Sequence, residues 1–175
     1  DKTRRAYMIQ GACKTPSDGY QWLRLWRIFT QDFVTFTPPE LYLNRADTAQ
    51  PGHAFDCSIV AQAGQYYRVY KSDGIELETA PGLDGPWVPV RNNLRTVAPN
   101  HEGPTLCPAE NGWLLMLDNL TTHGGYQAYR TADLSGGAFV QDKQLQFPSG
   151  IKYRHGSLLP ITENEYQRFT AAYKA

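Results

Sequence analysis

The sequence predicts an all-β chain, a β-propeller of four-stranded blades, on three observations. A turn signature recurs about every fifty residues, the stretches between the turns read as short strands, and aromatics make up 13 % of the 175 residues, with eleven tyrosines and four tryptophans. Repeats of roughly forty to fifty residues are the period of propeller blades.

The first turn is Thr30-Gln31-Asp32-Phe33-Val34-Thr35-Phe36. The second runs from Thr79 through Pro81-Gly82-Leu83-Asp84-Gly85-Pro86 to Trp87, and the third from Thr131 through Asp133-Leu134-Ser135-Gly136-Gly137 to Phe139. In each, a strand ends in threonine, a tight turn follows, an apolar anchor (Phe33, Leu83, Leu134) comes next, and an aromatic closes the unit. Asp, Gly and Pro suit such turns because they cap local backbone, reach positive φ or pre-set φ. The repeat divides a single domain, residues 1–175, into units of about 4–50, 51–98, 99–148 and 149–175.

The elements follow in order. Ala6–Gln10 and Leu23–Phe29 are the strands of the first unit. Tyr66–Lys71 is aromatic and β-branched, and Gly74–Thr79 alternates with period two. Between them Ser72-Asp73-Gly74 is a hairpin signal. The third unit repeats the plan with Gly112–Leu117, a loop holding Gly124-Gly125, and Tyr126–Thr131. Only Thr162–Tyr173 reads as a helix, with Thr162 as N-cap and Glu165 three residues on completing a capping box.

Composition narrows the function classes. Lysine plus arginine balance aspartate plus glutamate at 17 each, so no global field draws the chain to nucleic acid or an anionic membrane. No stretch approaches the roughly 20 apolar residues of a membrane span, and no signal peptide is visible at Asp1-Lys2-Thr3, where a processed start is one expectation. Cys13, Cys57 and Cys107 lack metal-ligand spacing and the even number of a disulfide framework. They are expected as free or buried thiols, with one pairing still open. The sequon Asn119-Leu120-Thr121 permits glycosylation without fixing a compartment. Trp26, Trp87 and Trp113 are expected in the core.

Each of three units opens with a short strand before its tyrosine- or tryptophan-led one: Phe55-Asp56-Cys57-Ser58-Ile59-Val60, His101-Glu102-Gly103-Pro104-Thr105-Leu106 and Arg154-His155-Gly156-Ser157-Leu158-Leu159. The first strand of a propeller blade lines the central channel. Asp56, Glu102 and His155 are therefore expected on one rung at the channel mouth, where acids opening apolar strands cost desolvation unless paired or functional.

These strand starts, with Gly85-Pro86-Trp87 in an outer turn, resemble glycoside hydrolase family 43 from about Tyr7 to Phe169. The resemblance implies a partial five-bladed propeller of three to four blades. It also implies cleavage of arabinose- or xylose-containing plant glycans with inversion, and a secreted or periplasmic setting. Glu102-Gly103-Pro104 resembles the motif of the general acid. Asp56 resembles the aspartate that orients that acid, and His155 the channel histidine that holds an ion or a water. No cofactor is required, and a calcium or other ion in the channel would have His155 as its ligand; a plain hydrogen-bonded histidine is the other reading.

An inverting glycosidase needs one protonated and one ionised carboxyl about 6.5–9.5 Å apart. The family's base is an aspartate of the first blade, and Arg4–Ile9 carries no acid; Asp18 and Asp32 lie in a loop and an outer turn. Five blades need about 250 residues, so the chain is expected to lack the first blade. It is then a fragment of a longer enzyme or a short form that closes its ring with a second copy, and its open edges favour pairing of two copies. Arg154, His53, Trp22, Tyr20, Tyr126 and His123 are expected near the mouth, where aromatic faces could stack on a sugar. A glycan is the expected partner, and a catalytically inactive glycan-binding or assembly propeller is the alternative.

Overall fold

The computed structural model describes residues 1, 4–122, 124–145, 147 and 153–173. Its strands are β1 (Tyr7–Cys13), β2 (Arg24–Thr30), β3 (Glu40–Leu43), β4 (Phe55–Gln62), β5 (Gln65–Lys71), β6 (Ile75–Ala80), β7 (Val88–Pro89), β8 (His101–Ala109), β9 (Gly112–Asn119), β10 (Gly125–Thr131) and β11 (Val140–Asp142). They form three antiparallel sheets ordered β1-β2-β3, β4-β5-β6-β7 and β8-β9-β10-β11. Among the described residues two α-helices complete the fold, α1 (Leu94–Val97) and α2 (Glu163–Ala172). The architecture is the expected all-β propeller arc with a C-terminal helix. Thr162 caps α2 through its side chain, and Glu165 returns the bond to the Thr162 backbone.

Local chemistry explains the repeat. Thr30 Oγ1 accepts from the Asp32 and Phe33 amides, and Asp32 Oδ1 accepts from those of Val34 and Thr35. At the equivalent corner Asp133 accepts from the Ser135 amide and donates its own amide to Thr131. Amides aimed at Asp32, first that of Thr35, hold its carboxyl down at about 2.

Register shows how the sheets correspond. Thr30 and Thr131 end β2 and β10, so β2 matches β10 and, by sheet order, β6; β1 then matches the second strands β5 and β9. Inner strands β4 and β8 pack on each other, whereas β1 packs on β4 as β5 packs on β8. The first sheet thus has three strands, and among the described residues none lies at its inner edge. Arg4–Ile9 corresponds to a second strand, so its lack of an acid says nothing of the channel position with which it was compared.

The core lies between the sheets. Val69, Leu77, Leu115, Leu117, Tyr129 and Phe139 join the second and third. Leu25, Ala54 and Tyr70 join the first and second. On the other side of the first sheet, Tyr7 and Ile9 are exposed, and Trp26 and Ile28 line an apolar hollow of about 540 Å³. Trp113 is core as expected, whereas Trp26 and Trp87 are half-buried. Trp26 has no sheet packed over it among the described residues, and Trp87 stacks on the Arg68 guanidinium, 4.4 Å from its ring centroid.

The unit boundary near 148 falls outside the described residues. Arg154–Leu159, expected as a strand, forms none: the segment is an irregular strap tied to Tyr126 at the start of β10, and no strand follows it before α2. All three cysteines are free, Cys13 exposed and Cys107 buried. Burial pushes the Cys57 thiol up to about 12. Among the described residues no helix is long and apolar enough to cross a membrane.

Arg68 and Glu78 form a buried pair at 2.6 Å, and Tyr70 donates its hydroxyl to Glu78 at 3.0 Å. Removing one member strands a buried charge, at about 3–5 kcal/mol. Urea unfolding is therefore expected to show a loss of that size for Arg68→Ala, with the double Arg68→Ala, Glu78→Ala variant losing less than the sum of the singles.

Candidate functional site

The site forms where the inner strands open, and backbone geometry sets its residue types. Counting back from the two-residue turn of β8–β9 pairs Leu106 with Leu115 and Thr105 with Met116, but a bulge then brings Glu102 opposite Asp118. The β4–β5 hairpin shifts at the same place, between Phe55 and Ser58. The residue within each bulge is left-handed: Asp56 at φ 50° and Gly103 at φ 59°, with His155 in the strap at φ 49°. Glycine reaches this region freely, and Asp and His enter it more readily than most side chains. A bulge with a left-handed first residue re-aims the side chains beside it.

This register corrects the single rung. Asp56 and Gly103 share one position, and Glu102 stands one residue earlier, level with Phe55; His155, in the strap, belongs to no ladder. The side chains still meet: one ligand-type atom from each of Asp56, Glu102 and His155 lies within 4.8 Å of the others. Glycine at 103 makes this possible, since a Cβ there would come within 2.7 Å of the His155 ring.

The polar contacts run across the channel. Asp56 Oδ2 accepts the Gly103 amide at 3.2 Å. Glu102 Oε1 accepts from Arg154 Nη2 at 3.2 Å and lies 3.1 Å from His155 Nε2. Arg154 also donates through Nε to Asp118 Oδ2 at 2.5 Å, and this carboxylate holds the guanidinium's proton affinity above its ordinary value. Tyr126 anchors the strap: its amide donates to the Tyr153 carbonyl at 2.9 Å, and its hydroxyl accepts the Gly156 amide at 2.6 Å. Burial raises the Tyr126 hydroxyl, opposed by its bond to Gly156. Burial lowers Lys71, and the nearby Glu102 carboxylate opposes that shift.

A cavity of about 200 Å³ opens here, lined among others by Asp56, Ser58, Gly103, Thr105, Tyr126 and His155. Trp22 and His53 do not line it. They stack on each other at 5.1 Å, and His53 Nδ1 accepts the Leu23 amide at 3.1 Å, which binds both to the loop before β2. Tyr20 is exposed, and His123 lies outside the described residues.

Asp118 was missed by sequence reasoning. An acid closing the apolar run Trp113-Leu114-Leu115-Met116-Leu117 was the available signal, but straight register sets Asn119, not Asp118, opposite Glu102. As a calcium site the set fits poorly: calcium takes six to eight oxygens. Here two carboxylates and an imidazole converge, Arg154 already balances Glu102, and His155 Nε2 is directed at Glu102 Oε1.

Stacked antiparallel sheets with polar groups gathered where the inner strands open define a propeller domain with a site at its channel. Residues 1–167 match the glycosyl hydrolase 43-related family, described as a probable glycosyl hydrolase domain, and the chain belongs to that family. A family 117 glycoside hydrolase of the marine bacterium Zobellia galactanivorans shares the fold at TM-score 0.57 and 16 % identity, over 69 % of this chain and 41 % of that one. An exo-β-1,3-galactanase of Clostridium thermocellum aligns at TM-score 0.53 and 15 % identity, over 78 % and 35 %. A β-fructofuranosidase of Bombyx mori aligns at 0.53 and 16 %, over 81 % and 34 %. The chain thus spans less than half the length of each of these structures. No curated protein matches the sequence.

Alanine at 103 would meet both the His155 ring and an unfavourable φ, worth about 1–2 kcal/mol for the backbone alone. Gly103→Ala is expected to lose at least that much in urea unfolding. Gly156→Ala, whose added Cβ would meet only Tyr126 at 3.7 Å, is expected to change stability little.

Proposed function

We propose that this chain provides the acid side of an inverting glycoside hydrolase site for arabinose- or xylose-containing plant polysaccharides, with Glu102 as general acid. The observation that carries the reading is the setting of Glu102. Its side chain is one-fifth exposed beside the cavity, Oε1 is occupied by Arg154 and His155, and Oε2 has no hydrogen-bond partner among the described residues. A proton on Oε2 passes to the glycosidic oxygen as the bond to the anomeric carbon breaks, and water attacks the opposite face, giving its proton to a second carboxylate.

Asp56 is not that second carboxylate. An oxygen of Asp56 lies within 4.8 Å of one of Glu102, whereas an inverting pair stands about 6.5–9.5 Å apart to admit water. Asp56 instead fixes the Gly103 amide and so the backbone that carries Glu102. Tyr126 and His155 shape the wall on which the sugar rests, with Arg154 beside them, and no cofactor is needed. The family supports hydrolase chemistry on glycans; the pentose substrate and a secreted or periplasmic location are part of this proposal. The base belongs on a strand completing the inner edge of β1, supplied by a second copy that closes the arc or by a further segment of a longer chain.

Aryl α-L-arabinofuranoside and β-D-xyloside, with a β-galactoside for comparison, test the reading. Release from a pentoside that falls about 10²-fold or more in Glu102→Gln is the expected result. A folded wild-type chain that releases nothing overturns the hydrolase reading in favour of glycan binding without turnover. In light scattering the particle is expected at twice the 19.7 kDa chain mass; a monomer overturns closure by a second copy.

A further inference from the structure

We infer that Asp118 is the positioning residue of this site, holding Arg154 and, through it, the carboxyl of Glu102. The inference rests on the reading of Glu102 as general acid and adds a residue outside the cavity lining. Asp118 is fully buried at the end of β9, directly opposite Glu102 across the β8–β9 ladder. Its Oδ2 accepts from Arg154 Nε and lies 3.5 Å from His155 Nε2. The same guanidinium reaches Glu102 Oε1 through Nη2. One planar fork therefore spans two carboxylates, a geometry that lysine's point charge does not reproduce.

The fold does not require a carboxylate there. In the preceding sheet the corresponding position, opposite Phe55, is Lys71, and the matching position in β1 is Ala12. A buried carboxylate is costly unless paired, and among the described residues Asp118 Oδ1 is buried with no hydrogen-bond partner. The compensation lies on Oδ2, toward Arg154. The strap that carries Arg154 and His155 has no ladder of its own; among the described residues its backbone ties are those to Tyr126. Asp118 supplies the side-chain anchor that turns this strap into a fixed wall. With Oε1 of Glu102 held by Arg154, the transferable proton is confined to Oε2.

Two readouts test this. The first compares turnover of a substrate with a poor alkyl leaving group against one with a dinitrophenyl leaving group, which needs little protonation. Asp118→Asn is expected to lower the alkyl-to-dinitrophenyl ratio of kcat about tenfold or more, with KM nearly unchanged. Arg154→Lys, a change at a half-exposed residue, should do the same where Asp118→Asn does not fold. Equal losses on both substrates overturn the positioning role. The second readout needs no activity: trypsin cleavage after residue 154, followed by mass spectrometry, is expected to speed up in folded Asp118→Asn. An unchanged rate overturns the anchor. Wild-type inactivity with faster cleavage in the variant would remove the acid reading while keeping the anchor.

Discussion

The left-handed residue that opens each inner strand is the constraint on which the site depends. A straight antiparallel ladder would set Asn119 opposite Glu102 and leave the acids on alternating faces. The one-residue bulge changes this, because a shift of one in register moves every side chain beyond it to the other face. Asp56, Gly103 and His155 are three of the residue types that accept the conformation, so backbone and chemistry select for the same short alphabet. Glycine at the middle position is then settled by space, since the imidazole of the next unit occupies the volume its Cβ would fill.

Charge is the second organising principle. Glu102 and Asp118 face each other on one ladder, an arrangement that like charges oppose. Arg154 resolves it by lying between them, with His155 alongside. Arg68 plays an analogous part deeper in the arc, between Glu78 and the ring of Trp87. The two differ in exposure: the Arg68 side chain is 4 % exposed and that of Arg154 is 45 %. The first is a fixed element of the core, and the second stays within reach of solvent and of a ligand.

The repeat, most strands and the capped helix were legible in the sequence because each rests on local chemistry: threonine and aspartate at the corners, period-two alternation, the Thr162–Glu165 box. The strands β3, β7 and β11 were not, since an outer edge strand of two to four residues carries too little alternation to stand out from a loop. The convergence of Asp56, Glu102 and His155 was legible from order along the chain. Their relative register was not, because a bulge has no signature beyond a residue tolerant of positive φ. Trp22 and His53 were placed by loop proximity alone, and the structure ties them to each other and to the Leu23 amide. Asp118 needed the register before it could be seen.

The open side of the first sheet joins fold and chemistry. In the second and third sheets the face toward the preceding sheet carries Arg68 and Tyr70, then Leu115 and Leu117, all buried. The matching face of the first sheet carries Ile9, Trp26 and Ile28 around a hollow rather than under a neighbour, with Tyr7 exposed on the same strand. An apolar face of this kind marks a surface built to be covered, and the unpaired edge of β1 beside it is a template for a strand. Inner strands of this arc bring polar groups to the channel where they open, so a strand completing that edge would deliver its first residues to the same cavity. Under the proposed mechanism, the separation an inverting pair requires excludes Asp56 as base and directs the search across the channel, toward that edge. On the proposed inverting reading, closing the arc and completing the catalytic pair would be a single structural event.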